Sequence, residues 1–193
     1  MNGETKKGGG GVIAALLAAL LLAGCSSGEL TDYLIGKPVG SSDAVAPDMA
    51  AASDETKPIM ELYNAGLEAL KEREYKTAAK KFAEVERQHP YSKWATKAIL
   101  MQAYAQYQRN AYDDAIAAAK RFLTLHPGHK DAPYAHYLIA LSNYERIGDV
   151  RRDPTAARKA LAALEEVARR YPDTPYARDA LAKAKLARDH LAG

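Results

Sequence analysis

Cys25 is the only cysteine of the 193-residue chain, and it follows an uncharged run of leucines and alanines in LLAGCSSGE. A single thiol closes no internal disulfide, and its surroundings lack the companion ligands of a metal site. Three other groups could do chemistry by residue type. His126 and His129 are three apart but straddle Pro127-Gly128, which breaks a helix, and no cysteine accompanies them. They read as helix-end histidines rather than a metal pair. Gly36-Lys37 is followed by Pro38, and no glycine stands five residues earlier, so it is not a phosphate-binding loop. Glu165-Glu166 and Asp113-Asp114 are adjacent pairs on helical stretches and read as solvated faces. A dyad assembled from distant carboxylates stays open at this level. Nothing in these residues argues for an enzyme or a cofactor.

The flanks of Cys25 supply its chemistry. Lys6 and Lys7 precede a glycine run, and residues 12–24, VIAALLAALLLAG, carry no charge. As a helix that stretch reaches about 20 Å, short of the ~30 Å hydrocarbon core of a bilayer. A basic start, a short apolar core and small residues at its end describe a secretory signal peptide. Leu22-Ala23-Gly24-Cys25 resembles the bacterial lipobox. The resemblance implies cleavage before Cys25, acylation of its thiol, and a further chain on the new amino group. Ser26 in place of Asp favours the outer membrane by the sorting pattern of such lipoproteins. A signal peptide with an incidental cysteine, or an uncleaved anchor, is the alternative.

Residues 1–24 thus read as a lipoprotein signal peptide, and residues 25–58 as the lipidated cysteine with a disordered tether. The tether is rich in Ser, Gly, Pro, Asp and Ala, with Tyr33-Leu34-Ile35 its one apolar piece. As a flexible chain, about 32 residues span on the order of 30 Å. The net charge of +3 falls closer to balance once Lys6, Lys7 and Glu4 leave with the signal, so nucleic acid is not an expected partner.

Residues 59–193 must position whatever else is functional, and they repeat. AAKKFAEVERQHP, AIAAAKRFLTLHP and ALAALEEVARRYP end at Pro90, Pro127 and Pro172. Ala78, Phe82 and Val85 align with Ala115, Ala119 and Phe122, and with Ala160, Leu164 and Val167. The i, i+4, i+7 spacing places each trio on one helix face, and the proline five residues on stops the helix. Trp94-Ala95, Tyr134-Ala135 and Tyr176-Ala177 open a partner helix after each stop. Two helices per repeat predict an all-α helical solenoid, and the Ala-x3-Phe and Pro spacing resembles the tetratricopeptide repeat. Gly66, twelve residues before Ala78, falls where that pattern wants a small residue for close helix approach. Seven helices are expected, at about 59–72, 75–88, 92–109, 112–125, 131–147, 154–170 and 174–191, with Asp153 as an N-cap and Pro154 as a first helical residue. Along the last helix, Ala177, Leu181, Ala184 and Leu191 form the stripe expected to cover its neighbour, with Leu186 and Ala182 the apolar exceptions on a charged side.

Twelve tyrosines against two phenylalanines are the remaining signal. In a tetratricopeptide array the first helix of each pair lines the concave surface. Tyr63, Leu67, Leu100, Tyr104, Tyr107 and Tyr144 fall at groove-type positions and are the candidate peptide-binding residues. A tyrosine joins an apolar ring to a hydroxyl at low entropic cost, which suits a surface gripping varied peptides. Taken one at a time, each of these rings reads slightly better as core between stacked helices than as groove. Trp94 and Tyr176 read as packing between repeats.

A lipobox ahead of such repeats, with Leu62-Tyr63-Asn64, Arg121-Phe122, His126-Pro127, Arg152-Asp153-Pro154, Arg170-Tyr171-Pro172 and Tyr176-Ala177 in this order, closely resembles the BamD family. These are tetratricopeptide-repeat lipoproteins of the outer-membrane β-barrel assembly complex of Gram-negative bacteria. The resemblance implies a non-catalytic scaffold, lipid-anchored on the periplasmic face of the outer membrane. Its implied partners are the β-barrel insertase, accessory lipoproteins and unfolded outer-membrane proteins. The tether is longer than the family leads one to expect, and the family's C-terminal repeats are expected to be missing, which would weaken docking to the insertase. A pilotin-like lipoprotein or an adaptor for peptidoglycan enzymes is the alternative.

Overall fold

The computed structural model describes residues 57–147 and 154–192. The signal peptide, Cys25, the tether up to residue 56 and the Arg152-Asp153 pair lie outside the described residues, while Lys57 and Pro58, read with the tether, open the first helix. Among the described residues seven helices follow one another: α1 (Lys57–Lys71), α2 (Tyr75–Gln88), α3 (Lys93–Gln108), α4 (Tyr112–Leu125), α5 (Ala132–Glu145), α6 (Pro154–Arg170) and α7 (Pro175–Ala192). They depart from the expected bounds by no more than two residues, within the fraying that helix ends show. Each packs chiefly on its neighbours in sequence, and α1, α3, α5 and α7 also touch in succession. The fold is a tetratricopeptide-like helical solenoid.

Two kinds of turn alternate. After α1 and α3 the chain passes through Arg73 and Asn110 at φ 60° and 63°. Glu74 and Ala111 then donate their backbone N–H to Ala69 and Gln106, at 2.8 and 2.9 Å. This left-handed closure satisfies carbonyls that the helix end leaves open. The turns into α3 and α7 end instead on a hydroxyl cap. Ser92 Oγ accepts from the Ala95 N–H at 3.0 Å, and Thr174 Oγ1 from the Ala177 N–H at 3.3 Å. Each cap satisfies one orphan donor and contributes about 1 kcal/mol.

The second helix of each pair buries the expected face. Ala78, Phe82, Val85, Ala115, Ala119, Phe122, Ala160, Leu164 and Val167 are all essentially fully buried. The Phe82 ring reaches across to α1, where Gly66 leaves room for it. A Cβ at Gly66 would stand 2.7 Å from Phe82 Cε1. Above that contact Tyr63 packs edge-on against Phe82, with centroids 5.3 Å apart, and against Trp94 at 5.0 Å. One ring stack therefore joins α1, α2 and α3. In the next repeat Phe122 is flanked by His126 at 5.6 Å and His129 at 5.4 Å. Tyr134 and Tyr137 hold Tyr176 at 5.5 and 5.3 Å, which ties α5 to α7.

The last helix departs from its expected stripe. α7 buries Tyr176, Ala177, Ala180, Ala184 and Ala187, while Leu181 is 55% exposed and Leu191 only half-buried. It packs on α5 as well as α6, and the Tyr137 hydroxyl donates to Asp179. Facing both neighbours rotates the contact surface toward positions 176, 180 and 187 and turns Leu181 outward.

Gly66→Ala is expected to lower stability by about 1–3 kcal/mol, because the new methyl overlaps a ring that has nowhere to go. The gain in helix propensity, about 1 kcal/mol, does not offset this. Denaturant titration of Gly66→Ala and of Gly66→Ala with Phe82→Leu checks it. The double variant should recover part of the loss if the Phe82 contact is the cause.

Candidate binding surface

The six candidate peptide-binding residues divide by burial. Tyr63 at 4%, Leu67 at 2%, Leu100 at 3% and Tyr104 at 6% exposure are core residues in this structure. The reason is the direct contact of α1 with α3 and of α3 with α5, which covers the positions that a shallower solenoid leaves open. Tyr63 is walled by Phe82 and Trp94, and burial first, then the Asp131 charge, pushes its hydroxyl well above the usual tyrosine range. The Tyr104 hydroxyl accepts from Gln108 Nε2 at 2.6 Å. None of these four presents a ring to a ligand.

Tyr107 and Tyr144 are different. Both are half-buried at the C-terminal ends of α3 and α5. The Tyr107 hydroxyl donates to Glu145 Oε1 at 3.2 Å, and its ring lies 5.9 Å from that of Tyr112. Burial, followed by the Glu145 charge, raises the Tyr107 pKa, so the hydroxyl stays a donor at any working pH. Beside them opens a shallow cleft of about 290 Å³, lined by Tyr144, Glu145, Ile147, Leu186 and His190. Arg146 Nη1 donates to Asp113 Oδ1 at 2.6 Å at the same end of the solenoid. The ends of α3, α5 and α7 thus assemble a surface of half-exposed rings and aliphatic groups, edged by a carboxylate, an ion pair and an imidazole.

That arrangement offers apolar contact to a side chain and hydrogen-bonding groups to a backbone. Among the described residues no group of three His, Cys, Asp or Glu is placed to hold a metal ion. No described helix is long and apolar enough to cross a membrane. Of the six candidates from the sequence, Tyr107 and Tyr144 lie at this surface, and Ile147, Glu145 and His190 beside them were not among the candidates. Leu186 carried the one available signal, as an apolar residue on the charged side of α7.

His136 sits half-buried near the end of α6, with Arg170 Nη1 3.4 Å from its Nε2 and the Tyr171 ring 5.6 Å away. Burial first, then the Arg170 charge, pushes its pKa below the ordinary imidazole value. The folded state therefore favours neutral His136. Its contribution is complete above the unfolded pKa of about 6.5 and is lost as pH falls through the lower folded value. Thermal melts should show the wild-type chain losing more stability than His136→Gln between about pH 7 and pH 5. Parallel losses would contradict the assignment. Tyr104→Ala should cost about 3–5 kcal/mol, whereas Tyr144→Ala, at the half-exposed end of α5, should cost much less. Chemical denaturation of the two variants separates core from surface.

Comparison with known proteins places this architecture in a lineage. Residues 55–193 match the YfiO family, described as outer membrane lipoprotein. The outer membrane protein assembly factor BamD of Caulobacter vibrioides is 48% identical over 139 residues, which cover 72% of this chain and 46% of that protein. The BamD proteins of Rickettsia prowazekii and Xylella fastidiosa strain 9a5c are 39% and 32% identical, over 74% and 66% of this chain and 57% and 47% of their own lengths. The chain thus spans about half the length of the curated relatives it matches. The match covers the described solenoid from its first helix to its last, and the chain belongs to the YfiO family of outer membrane lipoproteins.

Proposed function

We propose that this chain is a non-catalytic scaffold of the β-barrel assembly machinery, held by acylated Cys25 at the periplasmic face of the outer membrane. The observation that carries the reading is the 48% identity over 139 residues to an outer membrane protein assembly factor. Its partners in this reading are the β-barrel insertase, accessory lipoproteins and unfolded outer-membrane proteins. The surface offered to an unfolded chain is the cleft beside Tyr107 and Tyr144, since Tyr63, Leu67, Leu100 and Tyr104 serve the core. An aromatic or aliphatic side chain would enter the cleft while Glu145 and His190 meet its backbone. Two or more acyl chains on Cys25 would hold the domain firmly, where one would hold it marginally.

Affinity purification of the full chain from detergent-solubilised membranes should recover the β-barrel insertase. Recovery of a secretin or of a cell-wall hydrolase in its place would overturn the reading in favour of a pilotin or an enzyme adaptor. Cys25→Ser should abolish labelling by a fatty-acid analogue, and unchanged labelling would contradict the anchor. Tyr107→Ala with Tyr144→Ala should weaken binding of peptides from barrel C-termini by about tenfold, a loss of ~1.4 kcal/mol. Fluorescence anisotropy on the folded variant measures it.

A further inference from the structure

The helices alternate in direction through short turns, so the solenoid has two rims. One carries the ends of α2, α4 and α6 and the starts of α1, α3, α5 and α7. Thr96 Oγ1, in the first turn of α3, lies 3.3 Å from His126 Nε2 at the end of α4, as this topology requires. Lys57 opens α1 on the same rim, so the preceding tether joins the domain there. This rim also presents Tyr91, which is fully exposed, and Leu125, which is 54% exposed.

Charge divides between the rims in the same sense. Among the described residues the tether rim carries Lys57, Arg87, Lys93, Lys130, Arg169, Arg170 and Arg178 against Glu86, Asp131 and Asp173, with Arg87 paired to Glu84 and Arg170 to Glu166. On the opposite rim Glu68, Glu72, Glu74, Asp113, Asp114, Glu145 and Asp189 outnumber Lys71, Arg73, Lys76, Arg109 and Arg146. An exposed tyrosine and leucine among basic residues suit the interface of an anionic bilayer, where an aromatic ring sits at headgroup level and cations are drawn to the surface. The anchor proposed above at Cys25 holds the domain near the bilayer, where weak contacts count.

We propose that this rim is a membrane-contacting surface for anionic phospholipid, with Tyr91 and Leu125 entering the headgroup layer and Lys93, Lys130 and Arg169 bound to lipid phosphates. The proposal rests on the anchored reading for the proximity of the bilayer, and on the rim itself for the contact. It fixes the orientation of the domain. The cleft at Tyr144, Ile147 and Leu186 lies at the far rim, on the order of 20 Å away at 1.5 Å per helical residue, and faces away from the membrane.

The full chain, reconstituted through its anchor into vesicles of phosphatidylglycerol and phosphatidylcholine, tests this. Gly128→Cys places a fluorophore on the tether rim, where a Cβ meets nothing within 4 Å, and Glu72→Cys places one on the opposite rim. The wild-type chain is the blank for any label on Cys25. Quenching by a spin-labelled lipid should be at least about threefold stronger at position 128 than at 72. It should fall to the level of position 72 in pure phosphatidylcholine, or on adding Lys93→Glu with Lys130→Glu, or Tyr91→Ser with Leu125→Ser. Equal quenching at the two positions, or quenching at 128 that ignores both charge and the exposed side chains, would overturn the proposal and leave this rim to a protein partner. Failure of the anchor reading is separate: the chain then does not float with neutral vesicles at all.

Discussion

A two-helix repeat cannot bury its apolar stripe alone, and in this chain the shortage is met by rings that cross from one helix pair to the next. Phe82 fills the notch at Gly66, Tyr63 closes over Phe82, and Trp94 of the following pair closes over Tyr63. The Tyr134–Tyr137–Tyr176 group does the same work between α5 and α7, while Phe122, His126 and His129 pack α4 against its own following turn. Burying a ring of this size contributes about 1.5–3 kcal/mol. The polar links between helices, such as Arg121 to Glu86 at 2.6 Å and Arg188 to Glu165 at 2.6 Å, join partly exposed side chains and add less. The solenoid depends on its ring stacks, and the ion pairs trim its surface.

The same packing decides what is left for binding. Pulling α1, α3 and α5 into mutual contact consumes most positions that a wider array would present on its concave face. What remains lies where those helices end and the next ring has nothing to cover. Tyr107, Tyr144, Ile147 and Leu186 lie together there, joined through Glu145.

Much of this was legible in the sequence, for a local reason. The repeat of Ala78, Phe82 and Val85 in three registers, each closed by proline, encodes a helix, its buried face and its end within thirteen residues. Trp94-Ala95 and Tyr176-Ala177 likewise mark the opening of α3 and α7. Burial of tyrosines was not legible, because whether Tyr104 lines a groove or a core depends on the distance between α3 and its neighbours, which no local pattern fixes. Leu181 and Ala180 show the same limit. Both fit a helical stripe with Ala177 and Ala184, and the choice falls to Ala180 because α7 must meet Tyr137 on α5 as well as α6.

Native-state hydrogen exchange on the full chain, with Phe82→Ala beside the wild type, tests most directly whether the rings bind the repeats into one unit. Truncating that ring should remove about 3–5 kcal/mol. The account predicts that amide protection falls in α3 and α4 as well as in α1 and α2, since Tyr63 and Trp94 pass the loss across the repeat boundary. Protection lost only in α1 and α2, with α3 and α4 unchanged, would contradict it and describe repeats that fold independently.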